Sequence, residues 1–315
     1  MVDAAGVANP GLLADALAGL DARPRRLSPK WFYDRRGSEL FEAITDLPEY
    51  YPTRTEAAIL RDHAGTLAGI VPPGGALVEL GSGASVKTRM LLGAGRHFGA
   101  YVPIDISEGF LLSTADDLRR RYPDLAIHPV TGDFTGPVAL PGAVAGMAKV
   151  GFFPGSTIGN LERAEAVDLL TRARRWQGAE AFILGADLVK PEAELIAAYD
   201  DAAGVTAAFN LNLLHRLNRE AGADFDVDAF AHEVRRSGDR IEMHLAARHA
   251  QEVTLGDRTF RFDAGDTIHT ESCRKYTDAS LAALAADAGW KVGRKVTDAR
   301  GRYAVVVLRP DAPAA

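Results

Sequence analysis

The chain has 315 residues, of which 47% are hydrophobic and 25% are charged, and these are ordinary proportions for a globular protein. Its net charge of −6 argues against a nucleic-acid partner, because phosphate binding requires a cationic face. Cys273 is the sole cysteine, so an intrachain disulfide is excluded. The sequence shows no signal-peptide pattern and no apolar run long enough to span a bilayer. We therefore expect a cytoplasmic protein without a membrane partner.

Strand-like and helical patterns alternate from about residue 55 to residue 190. Strands are predicted over 78–80, 100–106, 126–130, 150–153 and 181–184. Helices are predicted over 87–93, 108–121 and 163–175. Strands separated by helices of this length imply right-handed crossovers and a mostly parallel sheet.

The rest of the chain divides into a C-terminal continuation of this pattern and an interruption of it. The continuation is a helix over 278–289, followed by a closing hairpin with strands over 290–296 and 303–308. Residues 191–250 read as helical, and 251–275 carry strand signals. We predict an α/β protein with a Rossmann-like core built from 55–190 and 276–315. A second, smaller α+β lobe is predicted from 1–54 and 191–275.

A glycine turn follows the first predicted strand. Gly81 and Gly83 allow the chain to turn tightly against a ligand, and a helix from Val86 would point its first amides at that ligand. The G-x-G-x-x-G fingerprint of dinucleotide-binding dehydrogenases requires a third glycine where Val86 stands. A strand that ends in Glu-x-Gly-x-Gly is instead similar to the first motif of S-adenosylmethionine (SAM)-dependent methyltransferases.

Acidic residues follow the next two strands. Asp105 lies 24 residues beyond Gly81, where its carboxylate can accept from both ribose hydroxyls. Asp133 can accept from an adenine amino group, and the ring of Phe134 can cover the base. Together with the glycine turn they indicate a nucleoside site. Lys87 either approaches a ligand carboxylate or is a solvated helix cation.

The loop over 153–161 is rich in glycine, serine, threonine and asparagine, and it lies where a methyl acceptor would be bound. The alternative is a simple turn in which Asn160 caps the following helix. The eight histidines show no metal-ligand spacing, so no metal is expected.

Several unusual blocks give the chain a specific resemblance to one family. The blocks are Trp31-Phe32-Tyr33-Asp34, Gly37-Ser38-Glu39-Leu40-Phe41, 47–54, 153–161, 198–206 and Ile241-Glu242-Met243. They resemble the histidine-specific Nα-methyltransferases (hercynine synthases) of ergothioneine biosynthesis, over nearly the whole chain. The resemblance implies transfer of three methyl groups from SAM, the co-substrate, to the α-amino nitrogen of L-histidine.

The resemblance also implies a set of site residues. The SAM-binding positions are matched by Gly81, Lys87, Asp105, Asp133 and Phe134. The substrate positions are matched by Tyr50 in the histidine site, Asn160 and Tyr199 at the carboxylate, Glu271 at the imidazole, and Met243 in the same pocket. Tyr33 and Phe41 fall near the junction of the two ligands, and Tyr33 is the candidate catalytic residue. The smaller lobe would then bind the substrate, and the protein is expected to be a monomer.

One position departs from the family pattern, which is similar to Glu-x-Ser-x-Lys. Here Cys273 stands where a serine hydroxyl would contact the imidazole, and a thiol is the weaker hydrogen-bond partner. Ser272 would compensate only through a local backbone shift. Two alternatives therefore remain beside histidine methylation. One is a family N-methyltransferase that acts on another amino acid such as tryptophan, and the other is a non-catalytic SAM-binding regulator.

Overall fold

The computed structural model describes residues 8–83 and 85–311, and the chain divides into two units. Unit 1 comprises the residues up to Tyr51 together with Lys190–Arg274, and unit 2 comprises Pro52–Val189 and the residues from Lys275 onward. Residues 1–7, where the sequence lacks a signal-peptide pattern, lie outside the described part. Within the described ranges, no helix combines the length and the apolar character needed to cross a membrane.

The helices and strands are numbered along the chain. The helices are α1 (Pro10–Asp21), α2 (Arg35–Asp46), α3 (Tyr51–Asp62), α4 (Ala64–Ala68), α5 (Val86–Ala94), α6 (Glu108–Arg121), α7 (Arg163–Arg174), α8 (Glu192–Ala197), α9 (Val205–Ala221) and α10 (Asp278–Asp287). The strands are β1 (Ala76–Leu80), β2 (Ala100–Asp105), β3 (Ala126–Ile127), β4 (Val130–Thr131), β5 (Lys149–Phe153), β6 (Ala179–Asp187), β7 (Phe230–Ser237), β8 (Arg240–Ala247), β9 (Gln251–Leu255), β10 (Arg258–Phe262), β11 (Thr267–Arg274), β12 (Trp290–Thr297) and β13 (Tyr303–Pro310).

Unit 2 contains a mostly parallel sheet in the order β12-β13-β6-β5-β1-β2-β3, with β4 also paired to β2. Strands β6, β5, β1 and β2 run parallel, and β13 is antiparallel to both β6 and β12. Val78 and Leu80 belong to one hydrophobic cluster and Leu77 to another, so apolar side chains cover both faces of β1. The predicted Rossmann-like sheet and its closing hairpin are confirmed.

The single strand predicted over 126–130 is wrong. Ala126–Ile127 and Val130–Thr131 are separate short strands, and each pairs with β2. Pro129 lies in the gap between them and has no N–H to donate to a ladder, which is why the strand is interrupted.

Unit 1 combines α1, α2, α8 and α9 with an antiparallel sheet in the order β11-β8-β7 and a β9–β10 hairpin. The helical prediction for 191–250 is wrong over 230–247, where β7 and β8 pair from Phe230–Ala247 to Ser237–Arg240. Gly238, at φ +60°, begins the two-residue turn that joins them. A two-residue Gly-Asp connection is a hairpin signal, and it outweighs the helical pattern of the flanking residues.

Candidate functional site

The glycine turn after β1 adopts the backbone conformation that its sequence predicts. Gly81 and Gly83 have φ values of +65° and +47°, which side-chain-bearing residues rarely adopt. A Cβ atom on Gly81 would lie 3.2 Å from the ring of Phe134. Glycine at position 81 therefore permits both the turn and the close approach of this aromatic ring.

Asp105, at the end of β2, is tied to the same turn. Its carboxylate accepts hydrogen bonds from the backbone N–H groups of Gly83 and Ser107, both at 2.9 Å. Two carboxylate oxygens offer about four acceptor positions, so positions remain for two ligand hydroxyls. The backbone contacts orient the carboxylate.

Asp133 and Phe134 lie in the loop that follows β4. One oxygen of Asp133 accepts from the backbone N–H of Thr135 at 2.9 Å and from its hydroxyl at 2.6 Å. The Phe134 ring packs edge-on against Phe153 with centroids 5.2 Å apart, and Arg172 donates to the Phe134 carbonyl at 3.0 Å. The loop is thus held in place while the second oxygen of Asp133 makes none of these contacts.

Ser82 is a residue of this turn that sequence reasoning missed. Its hydroxyl is buried and has no hydrogen-bond partner among the described residues. A buried hydroxyl without a partner is unfavourable, so a polar ligand atom at the turn would satisfy it. In the sequence, the signal that could have identified Ser82 is its position between Gly81 and Gly83.

Lys87, on the first turn of α5, is not a solvated cation. Its ammonium group forms an ion pair with Glu56 of α3, whose side chain is only 1% exposed. Glu56 also accepts from the backbone N–H of Gly155 at 3.0 and 2.9 Å. Sequence reasoning did not identify Glu56, because no local pattern marks it.

Asn160 ends a short 3₁₀ helix, Thr157–Asn160, in the loop after β5. The alternative interpretation, in which Asn160 caps the following helix, is wrong. Glu162 is the N-cap of α7, and it forms a capping box with Glu165. Asn160 therefore lies two residues before the N-cap of α7.

Glu79, in β1, lies buried behind the turn. It accepts hydrogen bonds from the hydroxyls of Thr88 and Tyr101, and Tyr101 also lies 3.0 Å from the Ser85 hydroxyl. Burial raises the pKa of Glu79 from 4.5 to about 8, although the two hydrogen bonds and Lys87 oppose the shift. The folded protein therefore holds a proton on Glu79 at neutral pH.

The raised pKa of Glu79 predicts a pH dependence of stability. Between about pH 4.5 and pH 8 the unfolded chain releases this proton and the folded chain keeps it, so the free energy of unfolding falls as the pH rises. Glu79→Gln removes this fall. We therefore expect the free energy of unfolding of the variant, relative to that of the wild type, to increase by a few kcal/mol as the pH is raised from 5 to 8.5. Urea unfolding across this range measures the difference. Glu180→Gln, at an exposed position of β6, is the control, and parallel pH curves for wild type and Glu79→Gln would contradict the prediction.

Unit 1 contains a cluster of aromatic rings. Tyr33 packs edge-on against Phe41 (centroids 5.5 Å apart) and Phe209 (5.8 Å). Tyr50 packs against Phe41 and against Tyr199, both at 6.3 Å. The sequence-predicted residues Tyr33, Phe41, Tyr50 and Tyr199 therefore belong to one connected group, which Phe209 joins.

The Tyr33 segment is fixed to the helices of unit 1 through Asp34. Asp34 caps α2 by accepting from the Gly37 N–H at 2.7 Å, and it also accepts from the Asn212 side chain of α9 at 2.9 Å. A Cβ atom on Gly37 would lie 1.7 Å from the Phe32 carbonyl oxygen. The sequence blocks around 31–34 and 37–41 are thus explained by a tight turn into α2.

Glu271 and Cys273 project from the same face of β11, because side chains alternate along a strand. In register they pair with Met243 and Ile241 of β8. Both side chains are buried, at 8% and 5% exposure. The pKa of Tyr33 is raised well above 10, first through desolvation and then by the nearby Glu271, although 42% of the residue is exposed. The carboxylate of Glu271 thus acts electrostatically on the phenol of Tyr33.

Ser272 lies on the opposite face of β11. Its hydroxyl is 2.9 Å from Nε2 of His269, and in register it pairs with Glu242 of β8. Ser272 is therefore turned away from the face of β11 that carries Glu271 and Cys273.

His232 is a third residue that sequence reasoning missed. Its Nε2 lies 2.8 Å from the Tyr199 carbonyl, and its Nδ1 lies 2.9 Å from the side-chain nitrogen of Asn210. Because an amide nitrogen only donates, Nδ1 accepts and Nε2 carries the proton. Burial lowers the pKa of His232, which favours this neutral form. The imidazole thereby fixes the backbone at Tyr199.

The predicted site residues divide between the units. Unit 2 contains Gly81, Lys87, Asp105, Asp133, Phe134 and Asn160. Unit 1 contains Tyr33, Phe41, Tyr50, Tyr199, Met243, Glu271 and Cys273. Among the residues that the structure describes, no group of three or more His, Cys, Asp or Glu side chains is arranged to hold a metal ion.

Comparison with known proteins places the chain in a family. The family model described as "Histidine-specific methyltransferase, SAM-dependent" matches residues 12–310. The chain belongs to this family. It is 46% identical over 310 residues to the histidine N-alpha-methyltransferase of Mycolicibacterium smegmatis, a match that covers 95% of each chain. The histidine N-alpha-methyltransferase of Mycobacterium tuberculosis is 45% identical over 300 residues, covering 93% of this chain and 92% of the relative. Ergothioneine biosynthesis protein 1 of Neurospora crassa is 32% identical over 206 residues, covering 63% of this chain and 23% of that protein.

The residues of unit 2 fit the SAM on which this methyltransferase family depends. Asp105 is oriented and retains acceptor positions for ribose hydroxyls, and Phe134 lies over the turn at Gly81. The buried Ser82 hydroxyl lacks a partner among the described residues, so it is available to form a hydrogen bond with a polar ligand atom. The donors and acceptors of the turn thus suit a nucleoside with a polar tail.

Proposed function

We propose that this enzyme transfers three methyl groups from SAM to the α-amino nitrogen of L-histidine. The product is hercynine, and the reaction is the first step of ergothioneine biosynthesis. The observation that carries the proposal is Glu271, a buried carboxylate near Tyr33 of the aromatic cluster in a histidine-specific family. Carboxylate oxygens accept hydrogen bonds, and an imidazole N–H is a donor from which Glu271 can accept.

The side chains of unit 1 provide groups for each part of histidine. Glu271 would accept from the imidazole, Met243 would line the same pocket, and Tyr50 would pack against the substrate. Tyr199, whose backbone is held by His232, would bind the carboxylate through its hydroxyl. The assignment of Asn160 to that carboxylate stays a prediction.

Methylation requires an amine that has lost its proton, because the lone pair on nitrogen forms the new bond. SAM supplies an electrophilic methyl group, and each transfer releases one S-adenosylhomocysteine and one proton. The raised pKa keeps the Tyr33 phenol protonated, so we propose that it contacts the amine as a neutral hydrogen-bond partner. The main contribution of the enzyme is then the alignment of the reactants.

Product analysis tests this function. Incubation with SAM and a mixture of amino acids, followed by mass spectrometry, should show the mass of three added methyl groups on histidine alone. Methylation of tryptophan in place of histidine would overturn the substrate assignment. Binding of SAM without transfer in a single turnover would indicate a regulator instead.

We further propose that unit 2 binds SAM and unit 1 binds the amino acid, and that the protein acts as a monomer in the cytoplasm. The division of the predicted residues between the units supports the first point. A small free amino acid as substrate requires neither a membrane nor a nucleic-acid partner.

Cys273→Ser should lower the KM for histidine several-fold, because a hydroxyl is a better hydrogen-bond partner for imidazole than a thiol. Steady-state kinetics at saturating SAM measures this effect. Ser272→Ala is the matched control, since its side chain lies on the other face of β11 and contacts His269. An unchanged KM in Cys273→Ser would show that the thiol does not contact the substrate.

A further inference from the structure

Glu56 is a fully buried carboxylate for which the site described above has no assigned function. It lies on α3 at 0% exposure, and its two oxygens accept from the Gly155 N–H at 3.0 and 2.9 Å. One of these oxygens also pairs with the Lys87 ammonium group. A buried charge of this kind persists only when it is paired and hydrogen-bonded.

The strand beside Glu56 is shaped to admit the carboxylate. Gly185 lies inside β6, where a glycine ordinarily weakens a strand. A Cβ atom on Gly185 would lie 2.1 Å from an oxygen of Glu56. The absence of a side chain at this position is thus explained by the close approach of Glu56.

Glu56 joins two segments that carry predicted site residues. Lys87 is on the first turn of α5, and Gly155 begins the loop that leads to Asn160. Gly155 and Ser156 both have positive φ values, +87° and +58°. Non-glycine residues seldom adopt such angles, so the turn needs surrounding contacts to hold it. Its contacts include the Gly155 bond to Glu56 and a bond from the Asp187 N–H to the Ser156 hydroxyl at 2.9 Å.

We propose that Glu56 is the positioning residue that directs Lys87 toward the carboxylate of the methionine part of SAM. An ammonium group has three donors, so Lys87 can contact Glu56 and still donate to a ligand. Its side chain is 20% exposed, so part of it remains accessible. Glu56 itself, fully buried, acts on the ligand through Lys87, and its hydrogen bonds from the Gly155 N–H hold the carboxylate in position. The inference rests on the SAM site of the proposed function.

Calorimetry with two ligands tests the proposal. S-adenosylhomocysteine carries the methionine carboxylate, whereas 5′-methylthioadenosine shares the nucleoside and lacks the amino-acid group. Glu56→Gln keeps the shape of the side chain and removes its charge. We expect the Kd for S-adenosylhomocysteine to rise by about tenfold or more, and the Kd for methylthioadenosine to change less than about twofold. Equal weakening of both ligands would indicate a merely structural residue and overturn the proposal, as would an unchanged Kd for S-adenosylhomocysteine.

A double-mutant cycle sharpens the result. If Glu56 acts through Lys87, Glu56→Gln should have little further effect on S-adenosylhomocysteine binding in a Lys87→Met background. Independent, additive losses would contradict this. Asp117→Asn, which removes an exposed partner of Arg120 on α6, is the matched control and should bind both ligands like the wild type.

Gly185→Ala tests the position of the Glu56 carboxylate without removing its charge. Its methyl group would displace the carboxylate, so the same selective loss of S-adenosylhomocysteine affinity is expected. Retained affinity in this variant would count against the proposal, even where Glu56→Gln fails to fold. Calorimetry needs no methyl acceptor, so these outcomes are separate from whether the wild type methylates histidine.

Discussion

Glu271→Ala should raise the KM for histidine by about 100-fold while the Kd for SAM changes less than about threefold. The variant loses a charge-assisted hydrogen bond from a buried carboxylate, which is worth about 1.5–3 kcal/mol, and it opens a cavity beside the substrate. Glu271→Gln keeps the volume and one acceptor oxygen, so its KM should rise less. Steady-state kinetics for histidine and calorimetry for SAM measure the two effects separately.

The control for Glu271 is available on the same sheet. Glu242 of β8 pairs in register with Ser272, on the opposite face from Glu271, and it contacts His244. Glu242→Gln should therefore leave the KM for histidine near the wild-type value. Histidine affinity that survives in Glu271→Ala would show that this carboxylate does not recognise the imidazole.

Asp105→Ala should weaken SAM binding by about 100-fold or more. Its carboxylate is held by the N–H groups of Gly83 and Ser107, and the proposed bonds to two ribose hydroxyls add to these contacts. The alanine variant loses the ligand bonds and also loosens the glycine turn. Asp105→Asn keeps one acceptor oxygen, and an intermediate Kd is expected for it in calorimetry.

Asp298 provides a matched control for Asp105. Its carboxylate likewise accepts from backbone N–H groups in unit 2, those of Arg302 (2.6 Å) and Tyr303 (3.0 Å), at the turn before β13. Asp298→Asn should reduce stability in urea unfolding and leave the affinity of the folded protein for SAM unchanged. If both variants weaken SAM binding equally, the loss reflects general destabilisation of the fold.

The parallel sheet and the grouping of candidate residues at one of its edges could be predicted because their signals are local. Buried strands followed by helices define a parallel sheet, and the carboxyl ends of its strands meet at one edge. Gly81 and Asp105 could therefore be assigned to one site from their positions after consecutive strands. Their contact through the Gly83 N–H agrees with that reasoning.

The β7–β8 hairpin was not predicted, because apolar and polar residues alternate only weakly along its strands. Charged residues such as Glu233 and Arg235 lie on one face, and the other face includes His232, so neither face reads as purely apolar. The strand character becomes evident only when β8 is placed beside both β7 and β11. Pairing across a sheet is a property of several segments together.

By itself, the sequence determined the sheet, the glycine turn and the chemical types of the site residues, because each depends on neighbouring positions in the chain. The tertiary structure decided which of these residues act together. Glu56 meets Gly155 from 99 positions away, and the register between β8 and β11 shifts between His269 and Glu271. Alternation along β11 puts Cys273 on the same face as Glu271 and Ser272 on the other, and the register decides that the Glu271 face is the one paired with Met243 and Ile241. A slip of one residue would exchange these faces, so only the paired sheet could settle their orientation.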